Sequence, residues 1–91
     1  MEGISYTLYD MQTTTETIAA KVRGVAAEKR YTQKRIADTL SISRTSVVER
    51  INGRIPFTAT EILDLARSMR VSPSRFFPDE AELMAADEVA A

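Results

Sequence analysis

Thr32 to Arg54, TQKRIADTLSISRTSVVERINGR, holds two short helical patterns with only a few residues between them. Ile36, Ala37 and Leu40 line one edge of the first pattern, and Val47 and Ile51 sit four apart on the second. The connecting "SIS" contains neither glycine nor proline, so the chain must turn there without its usual breakers. Thr32 stands where an N-cap is needed for a helix over Gln33–Leu40. Ser43 does the same for a helix from Arg44 to about Asn52, which Gly53 then ends. A turn this tight holds the second helix at a fixed angle to the first. Ala37, with nothing beyond its β-carbon, lets the two approach closely.

The remaining patterns are helical as well. Thr13 and Glu16 have capping-box spacing, and Ile18, Val22, Val25 and Ala26 then form an apolar stripe that fades near Glu28-Lys29-Arg30. Tyr31 and Ile36 are placed to form a hydrophobic staple. After the loop "RIPF", Thr58 and Glu61 make the clearest capping box of the chain, opening a helix that buries Ile62, Leu65, Ala66 and Met69. Ser72-Pro73 puts proline at the first position of a short fifth helix carrying Phe76. Five short helices without convincing strand pairing predict an all-α, compact five-helix domain. Its division is an N-terminal arm over 1–13 (disordered or a short strand, from the alternation of Ile4, Tyr6 and Leu8), a domain over 14–77, and an acidic tail over 78–91. The tail has Leu83, Met84 and Val89 as anchors for a further turn or two.

With 91 residues the chain accommodates one small core, near the lower limit of independent stability. It has no cysteine and no histidine, which excludes disulfides, thiolate or imidazole metal sites and every His-dependent nucleophile. No metal site, cofactor or catalytic residue is expected, and the chain is expected not to be an enzyme. No apolar run approaches the roughly 20 residues of a membrane span, and no signal pattern opens the chain, so a soluble cytoplasmic protein without membrane contact is expected. The net charge of −1 conceals a segregation. Residues 21–54 carry nine Lys/Arg against three acids, while residues 1–20 and 78–91 carry three and five acids and no base. Such a basic block suits a polyanionic partner, although solvated helix faces also collect Lys and Arg.

The third helix turns Val47 and Ile51 one way; at about 100° per residue, Thr45, Glu49 and Asn52 point nearly opposite, with Val48 on the flank and Arg44 at the exposed tip. A short helix anchored from behind and polar in front suits the major groove of DNA, about 12 Å wide. The segment YTQKRIADTLSISRTSVVERINGRIPFTATEILDLARSMRVSPSRFF resembles the lambda-repressor-like (XRE/Cro-type) helix-turn-helix proteins of phages and bacteria. The resemblance rests on Gln33 after Thr32, Ile36-Ala37, Leu40, Ile42-Ser43, Val47, Gly53, Pro56, Ile62, Leu65-Ala66, Val71 and Phe76, and covers roughly residues 14–77. "INGRIPFT" looks most like actinobacterial and actinophage members. Two positions depart from the family: Ser41 stands where glycine is frequent, and Arg50 where an apolar residue is usual, with Ile51 taking over the contact.

The resemblance implies a lambda-repressor-like fold whose helices 2 and 3 form the helix-turn-helix. It also implies a sequence-specific regulator, a small phage- or prophage-type repressor that binds double-stranded DNA as a homodimer on a two-fold operator. Arg44, Thr45 and Glu49 match positions that often touch base edges. Arg44 suits guanine O6 and N7, Glu49 suits cytosine N4 or rejects wrong sequences, and Thr45 and Val48 offer methyl groups to thymine, Val48 serving equally as peripheral core. Gln33 and Ser43 open their helices where the family clamps phosphates, and Lys34, Arg35, Asn52 and Arg54 flank them as further phosphate contacts. The alternative is a protein-interaction module on the same scaffold, an antitoxin or anti-repressor, with a protein partner met through the acidic tail. The end of the fourth helix, Phe76-Phe77 and the tail are candidates for the surface that pairs two subunits.

Overall fold

A computed structural model describes residues 2–83, with side chains from residue 14 onward. Four α-helices, α1 (Glu2–Glu28), α2 (Gln33–Leu40), α3 (Arg44–Ile51) and α4 (Ala59–Met69), are followed by a 3₁₀ helix, Pro73–Phe76. Among the described residues there is no strand, and the all-α expectation holds.

Each helix start from α2 onward has a side chain that explains it. Thr32 Oγ1 accepts from the Arg35 N–H at 3.1 Å, and Ser43 Oγ from the Ser46 N–H at 3.0 Å. Thr58 and Glu61 exchange both bonds of a capping box, at 3.1 and 2.9 Å. Caps of this kind contribute about 1 kcal/mol each by satisfying orphan N–H groups.

The helix ends share one device. α1, α2 and α4 are each followed by a left-handed residue, and none is glycine: Arg30 (φ 60), Ser41 (φ 58) and Arg70 (φ 60). The next residue's N–H then reaches back to a helix carbonyl, Tyr31 to Ala26, Ile42 to Ala37 and Val71 to Ala66. Tyr31, Ile42 and Val71 are all apolar and packed on the core, which is the contact that accompanies a Schellman ending. The turn after α2 therefore needs no glycine, because burial of Ile42 offsets the cost of about 1 kcal/mol that a left-handed serine carries.

The core gathers Val22, Val25 and Ala26 of α1, Ile36 and Ala37 of α2, Val47 of α3, Ile62, Leu65, Ala66 and Met69 of α4, and Phe76. Phe76 is completely buried while Phe77 is 43% exposed, so the pair of phenylalanines splits between core and surface. The 3₁₀ helix is tied to the end of α1 by Arg75, whose two terminal nitrogens donate to the Glu28 carboxylate at 3.2 and 2.9 Å. That fork lowers the Glu28 pKa, through its hydrogen bonds first and its charge second, and raises that of Arg75.

Two expectations are corrected. Residues 2–13 are not an arm or strand but continue α1 toward the N-terminus, so Thr13 does not begin a helix. Extending a helix already nucleated costs little, and no proline interrupts the segment. In the tail, Asp79 and Glu82 exchange 2.8 Å capping bonds and start the expected helical turn, but Leu83, 47% exposed, stays outside the core. Met84 and Val89 lie outside the described residues.

Candidate nucleic-acid interface

α3 is fixed from behind and open in front. Val47 is 0% exposed, Ile51 packs partly on the core, and Arg44 and Thr45 are exposed at the helix start. Val48 and Glu49 are half-buried on its flanks. The C-terminal end is held from two sides. Arg23 of α1 donates to the Ile51 carbonyl, a cation placed where the helix dipole is negative. Arg50 donates through Nε to Glu61 Oε1 at 3.0 Å and through Nη1 to the Ser46 carbonyl at 3.2 Å. Arg50 thus occupies its apolar-type position as a half-buried strut to α4, while Ile51 makes the core contact.

Of the residues singled out in the sequence, two pairs meet, Gln33 with Arg44 and Glu49 with Arg54, while Lys34, Arg35 and Ser43 engage other neighbours. Arg44 Nε donates to Gln33 Oε1 at 3.3 Å, joining the first residue of α3 to the first residue of α2. Both helix N-termini therefore stand on one side of the domain. The Ser43 hydroxyl is engaged in its cap and donates to Ser46 Oγ at 3.0 Å, so beyond capping it has no free proton to offer a phosphate in this arrangement. Lys34 pairs with Asp38 one turn on, at 3.1 Å, with both side chains mostly in solvent. The Arg35 guanidinium lies over the Tyr31 ring, 4.1 Å from its centre. Tyr31 is itself pinned to the end of α4 by hydrogen bonds to the Ser68 carbonyl and hydroxyl, at 2.9 and 2.6 Å. Asn52 is exposed at the C-cap of α3, and Arg54 Nη1 lies 2.9 Å from Glu49 Oε2.

The sequence reading missed Arg23, Tyr31 and Arg50 as supports of this surface. Arg50 carried a signal, a charge at a position that calls for an apolar group. Its partner lies in another helix and is invisible to spacing. Among the described residues no His/Cys/Asp/Glu cluster could hold a metal, and no helix is long and apolar enough to cross a membrane.

Two short helices joined by a tight turn, with the second backed by the core and exposing Arg and Thr, define a small helical domain of the helix-turn-helix DNA-binding type. A family model described as the BetR domain matches residues 10–88. The chain belongs to that family, one of small helical helix-turn-helix-like DNA-binding domains. No curated protein and no solved structure matches the chain.

Proposed function

We propose that this protein is a sequence-specific transcriptional regulator of the lambda-repressor-like kind, a small phage- or prophage-type repressor. It inserts α3 into the major groove of double-stranded DNA and acts by binding, without catalysis. The observation that carries this reading is the two-sidedness of α3, Val47 wholly buried behind and Arg44 and Thr45 exposed in front. Arg44, Thr45, Val48 and Glu49 would meet base edges. Gln33, Lys34, Arg35, Asn52 and Arg54 would meet phosphates through side chains, and Ser43 through the backbone at the start of α3.

One domain of this size covers a single half-site, so a homodimer on a two-fold operator supplies both affinity and length. Its half-sites lie about 34 Å apart. Leu63 on α4 is 50% exposed and Phe77 43%, apolar area that a second subunit would cover. Selection from a pool of random duplexes tests the proposal. The expected product is a pair of inverted half-sites one helical turn apart, bound with an affinity that falls steeply with salt. A pool that shows no enrichment after several rounds contradicts it.

A further inference from the structure

Glu49 and Arg54 are five residues apart, too far to pair along a helix, yet they meet at 2.9 Å. The meeting is built into the backbone. The N–H groups of Arg54 and Ile55 both donate to the Glu49 carbonyl, at 3.0 and 3.3 Å, closing the chain back on the end of α3. Gly53 makes that return at φ +78, where its missing Cβ leaves room for Glu16 of α1: a Cβ would stand 3.1 Å from the Glu16 Cγ. Arg54 is therefore delivered to Glu49 by the fold, while its side chain stays 63% exposed and Glu49 stays 35% exposed.

Both groups lie at the surface assigned above to DNA, and paired they cannot do what they would do there alone. A bare carboxylate beside the duplex is repelled by phosphates, whereas one covered by Arg54 is electrically quiet. Arg54 paired with Glu49 through Nη1 brings no net positive charge to a phosphate, so the pair adds little to counterion release. An exposed pair of this kind is weak enough for a base amine that bonds the carboxylate to displace it.

We propose that Glu49 and Arg54 form a charge latch that makes one phosphate contact conditional on the base sequence. On nonspecific DNA the latch stays closed and Arg54 adds nothing to affinity. Where a cytosine N4 amine faces Glu49, the carboxylate exchanges Arg54 for the base, and the freed guanidinium takes a neighbouring phosphate. One correct base pair then yields two contacts, and affinity for random sequence is held down. This inference rests on the placement of α3 in the major groove.

The test is a set of dissociation constants for the full chain and for Glu49→Gln, Arg54→Gln and the double variant. They are measured across a range of salt on the selected operator, on random duplex, and on an operator altered at the base pair facing Glu49. Each variant's circular dichroism is compared with the parent's. Glu49→Gln is expected to bind random duplex about threefold more tightly at low salt, with its salt slope steeper by about 0.9, one extra phosphate. The double variant is expected to lose that gain. Arg54→Gln alone is expected to flatten the slope on the operator but not on random duplex.

If Glu49→Gln leaves the slope on random duplex unchanged, or if Arg54→Gln flattens it equally on both DNAs, the latch is overturned. An Arg44→Ala control separates the two levels of the argument. If that variant keeps full operator affinity, the groove placement itself fails and the latch with it. If it loses affinity while the Glu49 and Arg54 slopes show no coupling, only the latch fails.

Discussion

Arg50 and Glu61 are joined at 3.0 Å with side chains only 16% and 13% exposed, and through them α3 is braced against the first turn of α4. Glu61 Oε1 accepts at the same time from the Thr58 N–H at 2.9 Å. One carboxylate oxygen thus serves both as the return arm of a capping box and as the counter-ion of the α3 strut. A single group links the brace of the helix proposed to read DNA to the start of α4, beside the Arg23 contact and the burial of Val47 that also hold that helix.

Removing that group is expected to cost more than removing an ordinary surface charge. Glu61→Ala loses the reciprocal cap and leaves Arg50 half-buried without its partner, a loss of about 2–3 kcal/mol. Glu61→Gln retains an oxygen for the Thr58 N–H and loses only the charge, so about 1 kcal/mol is expected. Urea unfolding curves rank the two. Equal losses would show that the ion pair, not the cap, carries the effect.

The left-handed positions make a prediction of opposite signs. Gly53→Ala places a Cβ at φ +78 and close to Glu16, and is expected to lose about 1–2 kcal/mol. Ser41→Gly removes the strain of a side chain at φ 58 and is expected to gain up to about 1 kcal/mol. The same unfolding curves decide the signs. Two losses would mean that the turn after α2 depends on the serine side chain and not on backbone strain.

Acid should weaken the tie between α1 and the 3₁₀ helix. Hydrogen bonds and charge from Arg75 hold the Glu28 pKa below its usual 4.5. A carboxylate with a depressed folded pKa adds stability above its unfolded pKa and loses it as pH falls through the folded one. Thermal melts of the parent and Glu28→Gln should therefore differ near neutral pH and converge as pH falls through the lowered Glu28 pKa. A gap that persists unchanged into strong acid would show that the charge is irrelevant.

Much of the scaffold was legible because its signals are local. The bounds of α2 follow from Thr32, and those of α4 from the Thr58–Glu61 box, each a pattern completed within four residues. The buried set of α4 follows from its period alone. What stayed hidden depends on distance. Arg50 and Glu61 are eleven residues apart and the fold alone brings them together, while Arg54 reaches Glu49 only because Gly53 turns the chain. The N-terminal half of α1 was misread because Ile4, Tyr6 and Leu8 fit alternation, while Ile4 and Leu8 also fit a helical step. The cap signal at Thr13 favoured the wrong choice. At the candidate interface the residue types could be chosen from the face of α3. The pairing of Gln33 with Arg44, which aligns the starts of two helices, could not.

The central claim is that the outward face of α3 reads base pairs, and Arg44→Ala on the selected operator tests it most directly. The parent should prefer the operator over random duplex by about a thousandfold or more. The variant should lose about ten- to a hundredfold on the operator, the value of one bidentate contact to guanine, with much less change on random duplex. An Arg44→Ala protein that holds the operator as tightly as the parent would contradict the account.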